Sequence, residues 1–128
     1  MIRNLLAACL IVLLSACAKI TPIYNIELET IVTASGNAPT LDQARYTIRR
    51  AVIAKTWKVK DTGPNSIEAN RYKGVKHAQV AIKFSPTEYS IHYKSSKQLL
   101  YDGFKIHRRY NSWVKGLRKK INLYFSQL

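Results

Sequence analysis

The sequence predicts an α+β domain in which two amphipathic helices cover one face of a four-stranded antiparallel meander. Apolar residues recur at helical spacing after residue 40 and again after residue 105, which predicts an N-terminal and a C-terminal helix. Between them lie four short runs in which apolar and polar residues alternate, separated by turn sequences. Such alternation is typical of a sheet with one apolar and one polar face, and the helices would cover the apolar face.

The N-terminal helix is predicted to follow Thr40 in the stretch TLDQARYTIRRAVIAKTW. Thr40 and Gln43 fit a capping box, and Asp42 lies in the first turn, where the helix dipole favours negative charge. The apolar stripe of this helix consists of Leu41, Ala44, Ile48, Ala51 and Val52. Its arginines lie off this stripe, so we expect one face of the helix to pack on the sheet.

The turn sequences between the four alternating runs predict how the strands pair. The predicted opposite pairs are Val59 with Ile67, Ile67 with Val80, Phe84 with Tyr89, and Ile82 with Ile91. With these pairs every apolar residue of the runs lies on one face. The stretch YNIELET also alternates, which predicts an additional edge strand near residues 23–32.

The C-terminal helix is predicted in a stretch that includes the basic segment IHRRYNSWVKGLRKK. Its apolar stripe consists of Ile106, Tyr110, Trp113, Val114, Leu117, Ile121, Tyr124 and Leu128. Tyr110 and Trp113 lie on this stripe beside basic residues. We therefore expect their rings to pack in the core, since a platform for stacking nucleic-acid bases requires exposed rings.

The first residues, MIRNLLAACLIVLLSAC, have the order of a secretory signal. Arg3 precedes an apolar run of ten residues, from Leu5 to Leu14, which is too short to span a bilayer. The ending Leu-Ser-Ala-Cys resembles the bacterial lipobox. This resemblance implies cleavage before Cys17, a diacylglycerol on its thiol and an acyl chain such as palmitate on the new amine. We expect a signal peptide at 1–16, a lipid-anchored tether at 17–39 and a basic α+β domain at 40–128.

A lipid at Cys17 would hold the domain on the periplasmic face of a membrane of the cell envelope. Ala18 follows, and the enterobacterial sorting rule then implies the outer membrane rather than the inner one. Cys9 would leave with the signal peptide. The mature chain would then have no thiol for a disulfide, a metal or a nucleophile.

The composition is strongly basic. The chain has 21 Lys and Arg against 7 Asp and Glu, and the loss of Arg3 with the signal peptide would leave 20 cations and a net charge of +13. Such a charge on one small domain favours anionic partners. We expect an anionic lipid, lipopolysaccharide phosphate, an acidic polymer or an acidic protein, while the lipid anchor disfavours chromosomal nucleic acid.

Several motifs together resemble a family. In order they are W…GP.SI.A, HAQVAIKF, YSIHYKSSKQLLY and IHRRYNSWVKGL. They resemble a group of small bacterial envelope lipoproteins that share an IH..YN.W final helix, over residues 41–121. The resemblance implies an envelope location and an α+β fold. It implies no catalytic residue, because no activity is assigned to the group.

The candidate anion-binding residues crowd the start of the last helix. They are Lys105, His107, Arg108 and Arg109. Cations there oppose the positive end of the helix dipole, and proteins tend to tolerate this conflict where an anion binds. The predicted register separates His77 from His92 by four residues, roughly 13 Å, which is too far to share a metal. We expect no catalytic, cofactor or metal site.

These observations predict a non-enzymatic, membrane-anchored envelope lipoprotein whose basic domain binds an anionic envelope component or an acidic partner protein. Two alternatives stay open. Exposed rings at Tyr110 and Trp113 would favour a nucleic-acid-binding module of an uptake or secretion apparatus. A closed cleft that joins a histidine to an acid would favour a small hydrolase that uses the polar sheet face.

Overall fold

The computed structural model describes residues 19–128. In chain order the elements are β1 (Ile20–Pro22), β2 (Ile26–Thr30), α1 (Leu41–Ala54), β3 (Lys58–Gly63), β4 (Ser66–Lys73), β5 (Lys76–Phe84), β6 (Glu88–Lys97), β7 (Lys105–His107) and α2 (Arg108–Phe125). Two helices and antiparallel strands confirm the predicted α+β class. Cys17 and the expected signal peptide lie outside the described residues.

The main sheet has five strands in the order β2-β6-β5-β4-β3, and every pair is antiparallel. The predicted count of four was therefore wrong. The meander β3 to β6 is joined at its edge by β2, in the region where an additional edge strand was expected. A separate two-stranded sheet pairs β1 with β7. It was not predicted, because three-residue strands are too short to show alternation.

The predicted register is confirmed at the loop end of β5 and β6, and a bulge farther along these strands shifts it by one so that His77 pairs with Lys97. It is shifted by two residues between β3 and β4 and between β4 and β5. Phe84 pairs with Tyr89 and Ile82 with Ile91, as expected. However, Ala69 pairs with both Val59 and Val80, in place of Ile67. The β4–β5 turn consists of Gly74 and Val75, with Gly74 at a φ of +60°, whereas the predicted pair of Ile67 with Val80 requires a turn at Lys73 and Gly74. A shift of two keeps each side chain on its predicted face.

The apolar face of the sheet, α1 and α2 form one hydrophobic core. The indole rings of Trp57 and Trp113 meet edge to face, with centroids 6.4 Å apart. On the sheet side, the Tyr89 hydroxyl donates to the Asn122 side-chain oxygen at 2.7 Å. The largest fully buried side chains are Tyr89, Tyr110, Phe125, Ile48, Ile67, Ile82, Ile91, Leu99, Ile106, Leu117, Ile121 and Val52.

The helix starts differ in their capping. At α1 the Thr40 hydroxyl accepts from the Gln43 amide at 3.1 Å, and the Gln43 side chain accepts from the Thr40 amide at 2.8 Å. This confirms the predicted capping box. At α2 the cap is the His107 imidazole, whose Nδ1 accepts from the Arg109 amide at 3.1 Å.

The described part of the expected tether is packed against the domain. Ile26 is buried in the core. The Tyr24 amide donates to the side-chain oxygen of Asn111 at 3.0 Å, and the Asn111 side-chain nitrogen donates back to the Thr21 hydroxyl at 3.0 Å. These bonds fix the chain before residue 26 to the side of α2. The path of the chain from residue 19 to residue 26 is therefore set by the fold.

Candidate functional site

The four candidate anion-binding residues lie on the surface where β7 leads directly into α2. Lys105 and Arg108 are exposed, whereas His107 and Arg109 are half-buried. Between them Ile106 is fully buried. Because the Ile106 side chain is packed in the core, the basic residues on either side of it are held at the surface. The structure thus brings all four residues together, as their position in the sequence predicts.

The acid nearest to these residues in sequence, Asp102, forms no salt bridge with them. The Asp102 carboxylate accepts from the backbone amides of Phe104 at 2.9 Å and of Lys105 at 2.7 Å, which closes the turn before β7. These two bonds hold the pKa of Asp102 below its usual value. No side-chain cation within residues 19–128 forms an ion pair with it.

Strand pairing adds further cations to the same end of the domain. Ile20 pairs with His107, which places Lys19 beside the start of α2. The His107 amide donates to the Leu99 carbonyl at 2.8 Å, and two residues earlier Lys97 pairs with His77 of β5. We call this surface the basic end; its cations are Lys19, Lys73, Lys76, Lys97, Lys105, Arg108 and Arg109.

No salt bridge among the described residues neutralises the cations of the basic end. In the described part of the chain there are four salt bridges, and none of them includes a cation of the basic end. The pKa of His107 is lowered by partial burial and then by the charges of Arg109, Lys76, Lys19 and Arg108. These four cations therefore lie close enough to His107 to disfavour a positive charge on its ring.

Acid is expected to destabilise the fold through His107. Because its folded pKa lies below the unfolded value of about 6.5, the unfolded chain binds the proton more readily. The stabilising contribution is complete above the unfolded pKa and is lost as the pH falls below it. His107→Asn keeps a side-chain acceptor at the cap and removes the titration.

Urea unfolding measured across this pH range should therefore show a weaker loss of stability on acidification for His107→Asn than for the unmodified chain. A residual loss is expected from His77, whose pKa is also lowered by burial and by Lys97. An identical pH dependence for both proteins would show that His107 titrates alike in the folded and unfolded states.

The two histidines of the polar sheet face lie apart, as predicted. The His77 ring stacks on Tyr72 with centroids 4.3 Å apart, and its Nε2 is 2.8 Å from the Asn70 side-chain oxygen. His92 pairs with Ala81, four residues from His77 along β5. Residues 19–128 contain no cluster of three or more His, Cys, Asp or Glu side chains that could hold a metal.

His92 contacts a carboxylate in a way that the sequence did not predict. Its Nε2 lies 2.7 Å from the Glu27 carboxylate on β2. The pair lines an open surface groove rather than a closed cleft, and both side chains are exposed. The nearby Ser90 hydroxyl accepts from the Leu28 amide at 3.0 Å and makes no hydrogen bond to His92. The groove therefore lacks the contact between nucleophile and base that a serine hydrolase uses.

The two aromatic rings that the sequence places beside the basic residues of α2, those of Tyr110 and Trp113, are in the core. Tyr110 is fully buried, and Trp113 is 7% exposed. The Arg71 guanidinium lies 4.6 Å from the Trp113 ring centroid and covers it on the solvent side. Neither ring can stack with a base of a nucleic acid, so the observation that would favour a nucleic-acid-binding module is not met.

Comparisons with protein-family models, with curated proteins and with solved structures found no match to this chain. The resemblance to small envelope lipoproteins stays a prediction. Among the helices described, none is both long and apolar enough to cross a membrane.

Sequence reasoning missed the cations that distant segments bring to the site. Lys76 and Lys97 flank one end of the β5–β6 pair, and Lys19 precedes the short strand β1. These lysines are far from the start of α2 in the sequence and lie near it only in the folded structure. The alternation in β5 and β6 could have placed Lys76 and Lys97 at one end of the sheet, but the pairing of β1 with β7 had no sequence signal.

Proposed function

We propose that this protein is a non-enzymatic lipoprotein of the bacterial envelope whose basic end binds an anionic component. That component is a phospholipid headgroup, a lipopolysaccharide phosphate, an acidic polymer or an acidic protein. The observation that carries the proposal is the set of seven cations collected at one end of the domain, with no salt bridge to any of them within residues 19–128. Such a surface attracts anions over a distance set by salt.

The lipid anchor supports the same proposal. The lipobox resemblance assigns the lipid to Cys17, and Lys19 of the basic end follows two residues later. Two or more acyl chains hold a protein stably on a membrane, at about 0.8 kcal/mol for each buried methylene. The residue Ala18 favours the outer membrane by the sorting rule given above.

Replacement of Cys17 by serine tests the anchor. The Cys17→Ser chain should incorporate no radioactive palmitate and should leave the membrane fraction, because a serine hydroxyl does not accept the diacylglycerol in this class of signal. Fractionation and labelling in a bacterial host measure both outcomes. A Cys17→Ser chain that still carries label and stays on the membrane would contradict the lipid anchor and the location inferred from it.

Affinity for anionic surfaces tests the binding function separately. A chain without residues 1–17 keeps every residue of the described core and is suited to this measurement. It should bind anionic vesicles or polyphosphate, and binding should weaken as salt is added.

A further inference from the structure

Exposed apolar side chains lie among the cations of the basic end, among them Val75, Leu100 and Phe104. Val75 is 79% exposed at the tip of the two-residue turn between Lys73 and Lys76. Leu100 is 53% exposed and follows Leu99, whose carbonyl accepts from the His107 amide. Apolar tips surrounded by Lys and Arg are typical of protein surfaces that rest in the interface of an anionic bilayer.

Residue 19, the first that the structure describes, also lies at the basic end. Because Ile20 pairs with His107, residue 19 lies beside the start of α2. Cys17 is two residues before Lys19 in the sequence. An extended chain spans at most about 3.3–3.6 Å per residue, so the Cα of Cys17 is within about 7 Å of that of Lys19. A lipid on Cys17 would therefore hold the basic end close to the membrane.

We propose that the basic end is a membrane-docking surface, on which Lys and Arg contact anionic phospholipid headgroups while Val75 and Leu100 insert between them. This inference rests on the proposed lipid anchor and deepens the proposed function by naming its partner as the bilayer that carries the anchor. A phospholipid surface is favoured over an acidic protein because the anchor places the membrane next to these residues before any partner arrives.

The end of the sheet opposite the basic end carries carboxylates, and one of them forms a salt bridge. Glu88 begins β6 there, and Glu29 forms a salt bridge with Arg118. Val32 is 68% exposed near the β5–β6 turn, where the Ile31 amide donates to the Thr87 carbonyl at 2.9 Å. The two ends are separated by the nine residues of β5, roughly 26 Å at about 3.3 Å per residue. Val32 is thus a matched control for Val75.

Fluorescence at single positions tests the docking surface. The chain without residues 1–17 contains no cysteine, so Val75→Cys, Leu100→Cys and Val32→Cys each provide one labelling site. With an environment-sensitive nitrobenzoxadiazole label, vesicles of equal parts phosphatidylglycerol and phosphatidylcholine should shift the emission to the blue at positions 75 and 100. Position 32 should show no shift, and neither should any position with pure phosphatidylcholine.

Binding of the unlabelled chain to the same vesicles is measured alongside the fluorescence. Val75→Glu should weaken binding to the phosphatidylglycerol vesicles by about tenfold, because it removes an inserted apolar group and adds a negative charge worth about 1 kcal/mol. Val32→Glu makes the same change at the far end and should leave the affinity almost unaltered. Circular dichroism confirms that both variants are folded.

The outcomes separate this inference from the proposed function. Binding to the vesicles without a shift at 75 and 100, or with a shift at 32, would overturn the docking surface and leave anion binding in place. Binding to polyphosphate but not to the vesicles would do the same. Binding to neither would overturn the docking surface and every proposed anionic component except an acidic protein.

Discussion

Replacing Trp113 by alanine is expected to lower the free energy of unfolding by about 3–5 kcal/mol, the usual cost of truncating a large buried aromatic side chain. Trp113 is only 7% exposed. Its ring meets Trp57 edge to face, and the Arg71 guanidinium covers it at 4.6 Å. The alanine variant loses both contacts and leaves a cavity between α2 and the sheet. Because small domains are stable by about 5–15 kcal/mol, this loss is a large fraction of the total stability.

Urea unfolding of the chain without residues 1–17 measures this effect. Leu123→Ala is the matched control, since Leu123 is on the same helix but 48% exposed. Its cost should stay within about 1 kcal/mol, as is usual for surface changes. A Trp113→Ala variant as stable as the Leu123→Ala variant would show that Trp113 is accessible in solution, and would revive the possibility of base stacking.

Reversing Arg108 and Arg109 to glutamate is expected to weaken binding to phosphatidylglycerol vesicles at least 30-fold. The lower bound follows because each Lys or Arg near an anionic membrane contributes about 1 kcal/mol, and about 1.4 kcal/mol is a tenfold change in affinity. The two new carboxylates add repulsion. Folding should survive, because Arg108 is exposed, Arg109 is half-buried, and neither forms a salt bridge within the described residues.

The control reverses two lysines outside the basic end to glutamate, which changes the net charge by the same amount. Lys83 and Lys119 are both exposed, and reversing them should cause a clearly smaller loss of affinity. Arg118 is unsuitable, since its guanidinium donates to the Glu29 carboxylate at 3.0 Å and to the Tyr24 hydroxyl at 3.2 Å. Equal losses from the two double variants would mean that binding depends on net charge and not on the basic end.

The parts of the fold that the sequence predicted are those with a long periodic signal. Fourteen residues of α1 and eighteen of α2 show their apolar stripes directly, and the Thr40–Gln43 pair marks a helix start. The register of β5 with β6 followed from the loop between them. The register of β4 could not be predicted in the same way, because Gly74 adopts a left-handed conformation that moves the turn by one residue. The pairing of β1 with β7 has no local pattern to reveal it.

The candidate site was predicted only where its residues are neighbours in sequence. Arg108 and Arg109 were identified because cations at a helix start conflict with the dipole. The contribution of Lys19 and Lys76 depends on contacts between segments far apart in the chain. The exposure of Val75 could not be predicted either, since one apolar residue in a turn has no pattern.

The central claim, that the basic end of this domain binds an anionic membrane surface, is tested most directly by one salt titration. The chain without residues 1–17 is mixed with vesicles of equal parts phosphatidylglycerol and phosphatidylcholine, and the bound fraction is measured by flotation as sodium chloride is raised. The screening length falls from about 30 Å at 0.01 M to about 10 Å at 0.1 M. We predict strong binding at the lowest salt and a steep loss of binding over this range, with no binding to pure phosphatidylcholine. Absence of binding at the lowest salt, or binding that salt does not change, would contradict the claim.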